Sequence, residues 1–100
     1  MPSSGQVEED MITVYRYILQ PTNNSVVAMP EGAEILQVAR WKQKDCIWAL
    51  VDTDKPLVPR VFHVLASGST ADFPSYKLHY IGSFVTDPDI EIYHLFEVLT

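Results

Sequence analysis

The chain has 100 residues, which suits a single domain, and 47% of them are hydrophobic while 20% are charged, as in an ordinary globular protein. The formal net charge of −6 excludes nonspecific binding to DNA, RNA or an anionic membrane, because each needs a basic footprint. The single cysteine, Cys46, excludes an internal disulfide and a cysteine-rich zinc site. The sequence shows no signal peptide and no long apolar run, so we expect a cytoplasmic protein that does not enter a membrane.

The chain divides into a short tail and one folded part. Residues 1–10 are small, polar and acidic, and we expect them to form a disordered tail. Residues 11–100 are expected to form a single β-rich domain, since their apolar residues alternate with a period of two.

The folded part is predicted to open with a β-hairpin. Its first strand runs from Met11 to Gln20, with Tyr15 and Tyr17 on one face. The turn-forming residues 21–24 then lead into a second strand from Ser25 to Met29.

Two apolar strands joined by a polar turn follow in residues 31–54. The second of them is apolar on both sides from Cys46 to Val51, a pattern typical of a strand buried on both faces. The turn between them contains no glycine or asparagine, so we expect a longer loop than a two-residue turn. On an extended strand Arg40, Lys42 and Lys44 share one side, and Trp41 lies on the other.

Three more strands are predicted at 58–65, 76–86 and 90–99. Pro59 indicates a sheet edge or a bulge in the first, and Gly82 indicates a bulge in the second. In the third, Ile92 and Phe96 are expected to face inward and Glu97 outward.

The segment 66–75 is irregular and carries one large apolar residue, Phe73. It is expected to be either an anchored flap, with Phe73 packed down, or a lid over a ligand. With about seven strands and no helix of ordinary length, the fold is predicted to be all-β. The specific prediction is a single small antiparallel β-sandwich or a partly open barrel.

Residues that could carry chemistry are few. Asp52 and Asp54 offer too few oxygens for a cation and are expected to cap a turn. His63, His79 and His94 each lie inside a predicted strand, without the spacing of metal ligands. No nucleophile elbow or phosphate loop is present, so we expect no enzymatic activity, no metal and no cofactor.

Aromatic and cationic residues are the better candidates for a site. Trp41 beside a basic stripe is the best single candidate, because an indole can stack on a ligand ring while a neighbouring cation meets an anion. The candidate partner or ligand contacts are Arg40, Trp41, Lys42, Lys44, Tyr15 and Tyr17.

From Met11 onward the sequence resembles a family of small uncharacterised proteins found in phages and bacteria. The motifs that carry the resemblance are Tyr15–Tyr17 (YRY), Met29–Leu36 (MPEGAEIL), Trp48–Pro56 (WALVDTDKP), Arg60–Phe62 (RVF), Tyr80–Gly82 (YIG) and His94–Glu97 (HLFE). The resemblance implies a phage setting, and therefore the cytoplasm of a host cell. It supplies no activity and no site residues.

The expected function is that of a small non-catalytic accessory protein of phage type, which acts by binding a host protein and could inhibit host defence. Exposed sheet edges also suit a homodimer formed by strand pairing. Two alternatives stay open: a sponge that sequesters an anionic nucleotide signal, and a minor component of the virion.

Overall fold

The computed structural model describes residues 11–20, 24–86 and 91–99. The described chain forms seven strands and one short 3₁₀ helix, Ser75–Lys77, and it contains no α-helix. The strands are β1 (Ile12–Ile18), β2 (Asn24–Pro30), β3 (Glu34–Trp41), β4 (Lys44–Asp52), β5 (Leu57–Ala66), β6 (Leu78–Thr86) and β7 (Glu91–Val98). The expected tail at 1–10 and the expected turn at 87–89 lie outside the described residues.

The strands form two antiparallel sheets that pack face to face as a β-sandwich, which confirms the predicted fold class. The three-stranded sheet has the order β1-β4-β3, and the four-stranded sheet has the order β2-β5-β7-β6. Alternate side chains of each sheet fill the space between the two sheets. The buried core residues are Leu19, Met29, Ala33, Val38, Ile47, Ala49, Val51, Phe62, Phe84 and Leu95.

The predicted hairpin of the first two strands is wrong. β1 pairs with β4, and β2 pairs with β5, so the two strands lie in different sheets. The inner side of β4 supplies Ile47, Ala49 and Val51 to the core, and β4 lies at the centre of its sheet with β1 as its second neighbour.

The turn between β3 and β4 also differs from the expectation. Trp41 pairs directly with Lys44, and the two residues between them have positive φ angles, 52° at Lys42 and 65° at Gln43. This is a two-residue turn of type I′, whose twist matches that of the flanking strands. Because the chain reverses here, Lys44 lies on the same face as Trp41, and the single-sided stripe of three cations does not form.

Replacing Gln43 with glycine is expected to stabilise the protein by about 1 kcal/mol, because glycine adopts a positive φ without the steric cost that glutamine bears. Urea unfolding followed by tryptophan fluorescence measures the change. Ala39→Gly is the matched control, and it should destabilise the protein because Ala39 pairs with Cys46 in the regular part of β3. A Gln43→Gly protein no more stable than the wild type would contradict the expectation.

The two faces of β4 have different surroundings. Ile47, Ala49 and Val51 face the other sheet and are buried. On the opposite face Cys46 is buried, but Trp48 is only partly buried and Leu50 is 37% exposed. The expected burial of β4 on both faces is therefore wrong for the outer face, where apolar side chains meet solvent.

The predicted faces of β7 are inverted. Leu95 faces the core and is fully buried, and Glu97 shares its face because it lies two residues along the strand. Glu97 tolerates this position because it forms an ion pair with Arg60 of β5, with 2.7 Å between Nε and Oε2. Ile92 and Phe96 lie on the other face of the sheet.

The predictions at Gly82, Pro59 and Phe73 agree with the structure. β6 has a bulge between Tyr80 and Gly82. Pro59 lies where β5 has only β2 as a neighbour, because pairing with β7 begins at Val61. Phe73 packs edge-on against the ring of the buried His63, with 5.4 Å between the ring centroids, as an anchored flap requires.

Candidate partner-binding face

The outer face of the three-stranded sheet carries an unusual density of large apolar side chains. We call it the outer apolar face and define it by Ile12, Val14, Ile18, Trp41, Trp48 and Leu50. The exposed fractions of five of these residues range from 37% for Leu50 to 53% for Ile12, and Trp48 is partly buried. Isolated exposed apolar residues are common on proteins, but a contiguous group across three neighbouring strands is typical of an interaction site.

The strand register explains why these residues share one face. Val14 of β1 pairs with Leu50 of β4, and Arg16 pairs with Trp48. Directly paired residues of antiparallel strands point to the same side of the sheet. The alternation of β1 and β4 therefore places one apolar set against the core and a second set in solvent.

A cation–π cluster occupies one end of this face. The guanidinium carbon of Arg16 lies 4.3 Å from the centroid of the Trp41 ring, and Nζ of Lys42 lies 4.6 Å from the same centroid. Since β4 separates β1 from β3, the Arg16 side chain reaches across β4 and away from the open edge of β1. The cluster fixes the indole in place and makes this end of the face positively charged.

The six predicted contact residues do not form one site. Trp41, Lys42 and Lys44 lie together at the cationic end of the outer apolar face. Arg40 points to the other side of the sheet, where Nη1 lies 3.9 Å from Oδ1 of Asp45. An ion pair of this length at a partly exposed position adds little to stability.

The predicted pair Tyr15 and Tyr17 lies on the inner side of β1, next to a separate groove of about 440 Å³. The two rings contact each other edge-on, with 6.3 Å between their centroids. Partial burial raises the pKa of the Tyr17 hydroxyl, and the neighbouring Tyr15 raises it further. The groove is lined by Tyr15, Tyr17, Ala28, Pro30, Thr53, Lys55 and Leu57.

Two of the three histidines, His63 and His94, have structural partners. Nδ1 of His63 lies 2.6 Å from Oδ1 of Asn24 beneath the Phe73 flap. His94 lies between the hydroxyls of Ser67 and Tyr80, at 3.0 Å from Nε2 and 3.3 Å from Nδ1. Both ring nitrogens of His94 therefore contact hydroxyl groups.

The remaining polar candidates also have structural roles. Oδ1 of Asp52 accepts a hydrogen bond of 3.0 Å from the backbone N–H of Asp54, which is the predicted turn cap. Burial raises the pKa of the Cys46 thiol, which disfavours the reactive thiolate. Within residues 11–20, 24–86 and 91–99, no three His, Cys, Asp or Glu side chains group as metal ligands.

Two side-chain contacts were absent from the sequence-based predictions. The contact of Arg16 with Trp41 depends on β1 and β3 lying in the same sheet, which a local sequence pattern does not show. The Arg60–Glu97 pair joins residues 37 positions apart, and only its location within two of the recognised motifs could have drawn attention to it.

The fold and this face define a class of protein: a small antiparallel β-sandwich with one exposed apolar and aromatic sheet face. The chain belongs to the family described as a domain of unknown function, DUF7352, whose sequence profile matches residues 11–100. No curated protein and no solved structure matches the chain significantly. No helix among the described residues has the length and apolar content needed to cross a membrane.

Proposed function

We propose that the protein is a non-catalytic binding module that docks a partner protein on the outer apolar face. The observation that carries this proposal is the exposure of apolar side chains on three adjacent strands of one sheet. Burying such a face against a partner contributes roughly 25 cal/mol for each Å² of apolar surface removed from water. Tryptophan and arginine, both present here, are enriched among residues that dominate interface energies.

The charge distribution indicates which kind of partner surface fits this face. The protein as a whole is acidic, with a net charge of −6, while Arg16, Lys42 and Lys44 form a local basic end around Trp41. A fitting partner presents an apolar patch with acidic residues at one border. Such complementarity accelerates encounter and fixes orientation more than it adds affinity.

The setting proposed for this interaction comes from the family resemblance. A phage-encoded protein of this kind works in the cytoplasm of the infected cell, so the partner is a host protein, and inhibition of a defence component is one outcome of such docking. The small size and the exposed sheet face suit a protein that acts by occupying a surface.

The nucleotide-sponge alternative has less support. Arg40, one of its expected anion contacts, lies on the opposite side of the sheet from Trp41. Arg16 and Lys42 already lie over the indole, so a stacking base would have to displace at least one of them. Protein docking requires no such displacement.

Leu50→Glu is expected to abolish partner capture, because it places a charge at the centre of the apolar face. Tagged protein is incubated with lysate of the host bacterium, and the retained proteins are compared by quantitative mass spectrometry. Val26→Glu is the matched control, since Val26 is 68% exposed on the edge strand of the other sheet. Thermal unfolding verifies that both variants are folded.

The proposal predicts a protein retained by the wild type and by Val26→Glu but reduced at least about tenfold with Leu50→Glu, as expected for a hot-spot position. Equal recovery with all three proteins, or no specific recovery by the wild type, would contradict docking on this face.

A further inference from the structure

The outer edge of β1 has no strand neighbour among the described residues. The hydrogen bonds at its two ends show which groups are open: Leu19 N donates to Asp45 O, and Thr53 N donates to Met11 O. In an antiparallel pair such bonded residues alternate along the strand. The odd-numbered residues therefore bond to β4, and the backbone N–H and C=O groups of the even-numbered residues point to the open edge. These residues are Ile12, Val14, Arg16 and Ile18.

This edge lacks the features that normally prevent strand pairing. Natural sheet edges are protected by proline, by outward charges, by bulges or by short length. β1 has seven residues, no proline and a regular register with β4. Its one charged side chain, Arg16, is directed away from the edge and onto Trp41.

We propose that two copies of the protein pair antiparallel through β1, centred on Tyr15. In this register Val14 of one copy pairs with Arg16 of the other, and Ile12 pairs with Ile18. Each residue whose backbone groups point to the open edge then lies opposite another such residue, and each of these pairs exchanges two backbone hydrogen bonds. The pairing joins two three-stranded sheets into one continuous sheet, with a twofold axis through Tyr15.

The neighbouring antiparallel registers are less favourable. A shift that centres the pairing on Arg16 leaves Ile12 without a partner in β1. A shift that centres it on Val14 leaves Ile18 without a partner. The register centred on Tyr15 uses the full length of β1 and pairs the cation with an apolar residue.

The inner side of β1 is also self-complementary. Tyr15 is 46% exposed, although it points toward the side of the sheet that carries the core. In the proposed pair it meets Tyr15 of the second copy, and Tyr17 meets Thr13. The tyrosine pair would cover the open side of the groove at Tyr15 and Tyr17. Aromatic and aromatic–threonine cross-strand pairs of this kind stabilise sheets.

This inference does not depend on the proposed function, because it concerns the purified chain alone. It extends that function, since pairing through β1 places two outer apolar faces side by side on one sheet. A partner with two equivalent sites would bind such a surface with increased avidity.

Charge substitutions at Val14 test the pairing and its register. Light scattering coupled to size exclusion, over a range of concentrations, should give twice the chain mass for the wild type. Val14→Lys places a lysine opposite Arg16 of the second copy in two symmetric positions and should weaken the dimer about tenfold, while Val14→Glu should strengthen it. The control variants Val26→Lys and Val26→Glu, on the edge strand β2, should leave the dimer unchanged.

Cysteine cross-linking gives a second measurement. Tyr15→Cys should form a covalent dimer with oxidised glutathione, because directly opposed residues of a non-bonded pair lie about 4.5 Å apart at Cα, within disulfide range. Thr13→Cys should not form a covalent dimer, because residue 13 lies opposite residue 17 of the second copy. Cys46 does not interfere, because it is fully buried. A wild-type mass of one chain at every concentration would overturn the proposal. A dimer that is equally stable with Val14→Lys and with Val14→Glu, and that does not cross-link in Tyr15→Cys, would also overturn it.

Discussion

Replacing Glu97 with alanine is expected to lower the free energy of unfolding by about 3–5 kcal/mol, because it leaves the Arg60 guanidinium largely buried without its counter-ion. Both side chains are mostly removed from solvent, with exposed fractions of 19% for Arg60 and 16% for Glu97. The pair is bidentate, since Nε and Nη2 each donate a hydrogen bond of 2.7 Å to the carboxylate. Such paired geometry is the strong form of an arginine–carboxylate contact.

The Arg60 guanidinium also connects the two sheets. Its Nη1 donates a hydrogen bond of 2.6 Å to the carbonyl of Ala33, which precedes β3. Hydrogen bonding to Glu97 raises the pKa of Arg60 against the opposing effect of burial. A group whose pKa is raised by folding contributes its full stabilisation at pH values below its pKa in the unfolded chain. Physiological pH lies below the ordinary pKa of arginine, so the contribution of Arg60 is constant across that range.

Urea unfolding of four proteins tests the role of this pair. Glu91→Ala, at an exposed position at the start of the same strand, is the matched control and should stay within about 0.5 kcal/mol of the wild type. The double variant Arg60→Met with Glu97→Leu should be more stable than Glu97→Ala, because it removes both buried charges together. If Glu97→Ala lowers the free energy of unfolding by less than about 1 kcal/mol, the pair contributes no more than a solvent-exposed ion pair.

Gly82→Val is expected to destabilise the protein by about 1–3 kcal/mol through overpacking. A Cβ added at Gly82 would lie 3.1 Å from Cγ1 of Val38, closer than side chains normally pack. Residue preference alone gives the opposite expectation, since valine is favoured in strands and glycine is not. The sign of the measured change therefore separates packing between β3 and β6 from intrinsic strand preference.

A Val38→Ala background and a neighbouring control sharpen this measurement. Removing the Val38 methyl groups makes room, so Gly82→Val should cost less in Val38→Ala than in the wild type, a coupling that thermal unfolding of the double-mutant cycle detects. Ser83→Val, at an exposed position one residue along β6, should be neutral or stabilising. Equal costs of Gly82→Val in both backgrounds would show that Val38 is not the obstacle.

The sequence predicted strands well because period-two patterning is a local property. It located all seven strands, the two faces of β1, the hairpin of β3 with β4 and the bulge at Gly82. It gave the wrong faces for β7, since Glu97 is placed inward by a partner 37 residues away that a local pattern does not contain. It gave the wrong loop length at Lys42 and Gln43, where sheet twist prevails over the preference of both residues for negative φ.

The candidate site was predicted only in part, for the same reason. The sequence selected Trp41, Lys42 and Lys44, which do lie together, but it grouped them with Arg40, which does not. It also marked β4 as apolar on both sides and attributed this to burial. Only the sheet order shows that the outer side of β4 has no covering layer and joins β1 in an exposed face.

The sequence by itself determined that this chain is an acidic all-β domain, because alternation, turn residues and net charge act locally or additively along the chain. The tertiary structure alone decided which strands are neighbours, which apolar face is covered and which edge is open. Those properties depend on pairing between segments far apart in sequence, since a strand that is apolar on both sides can be buried on either one. The interpretation of the outer apolar face and of the β1 edge rests on that pairing.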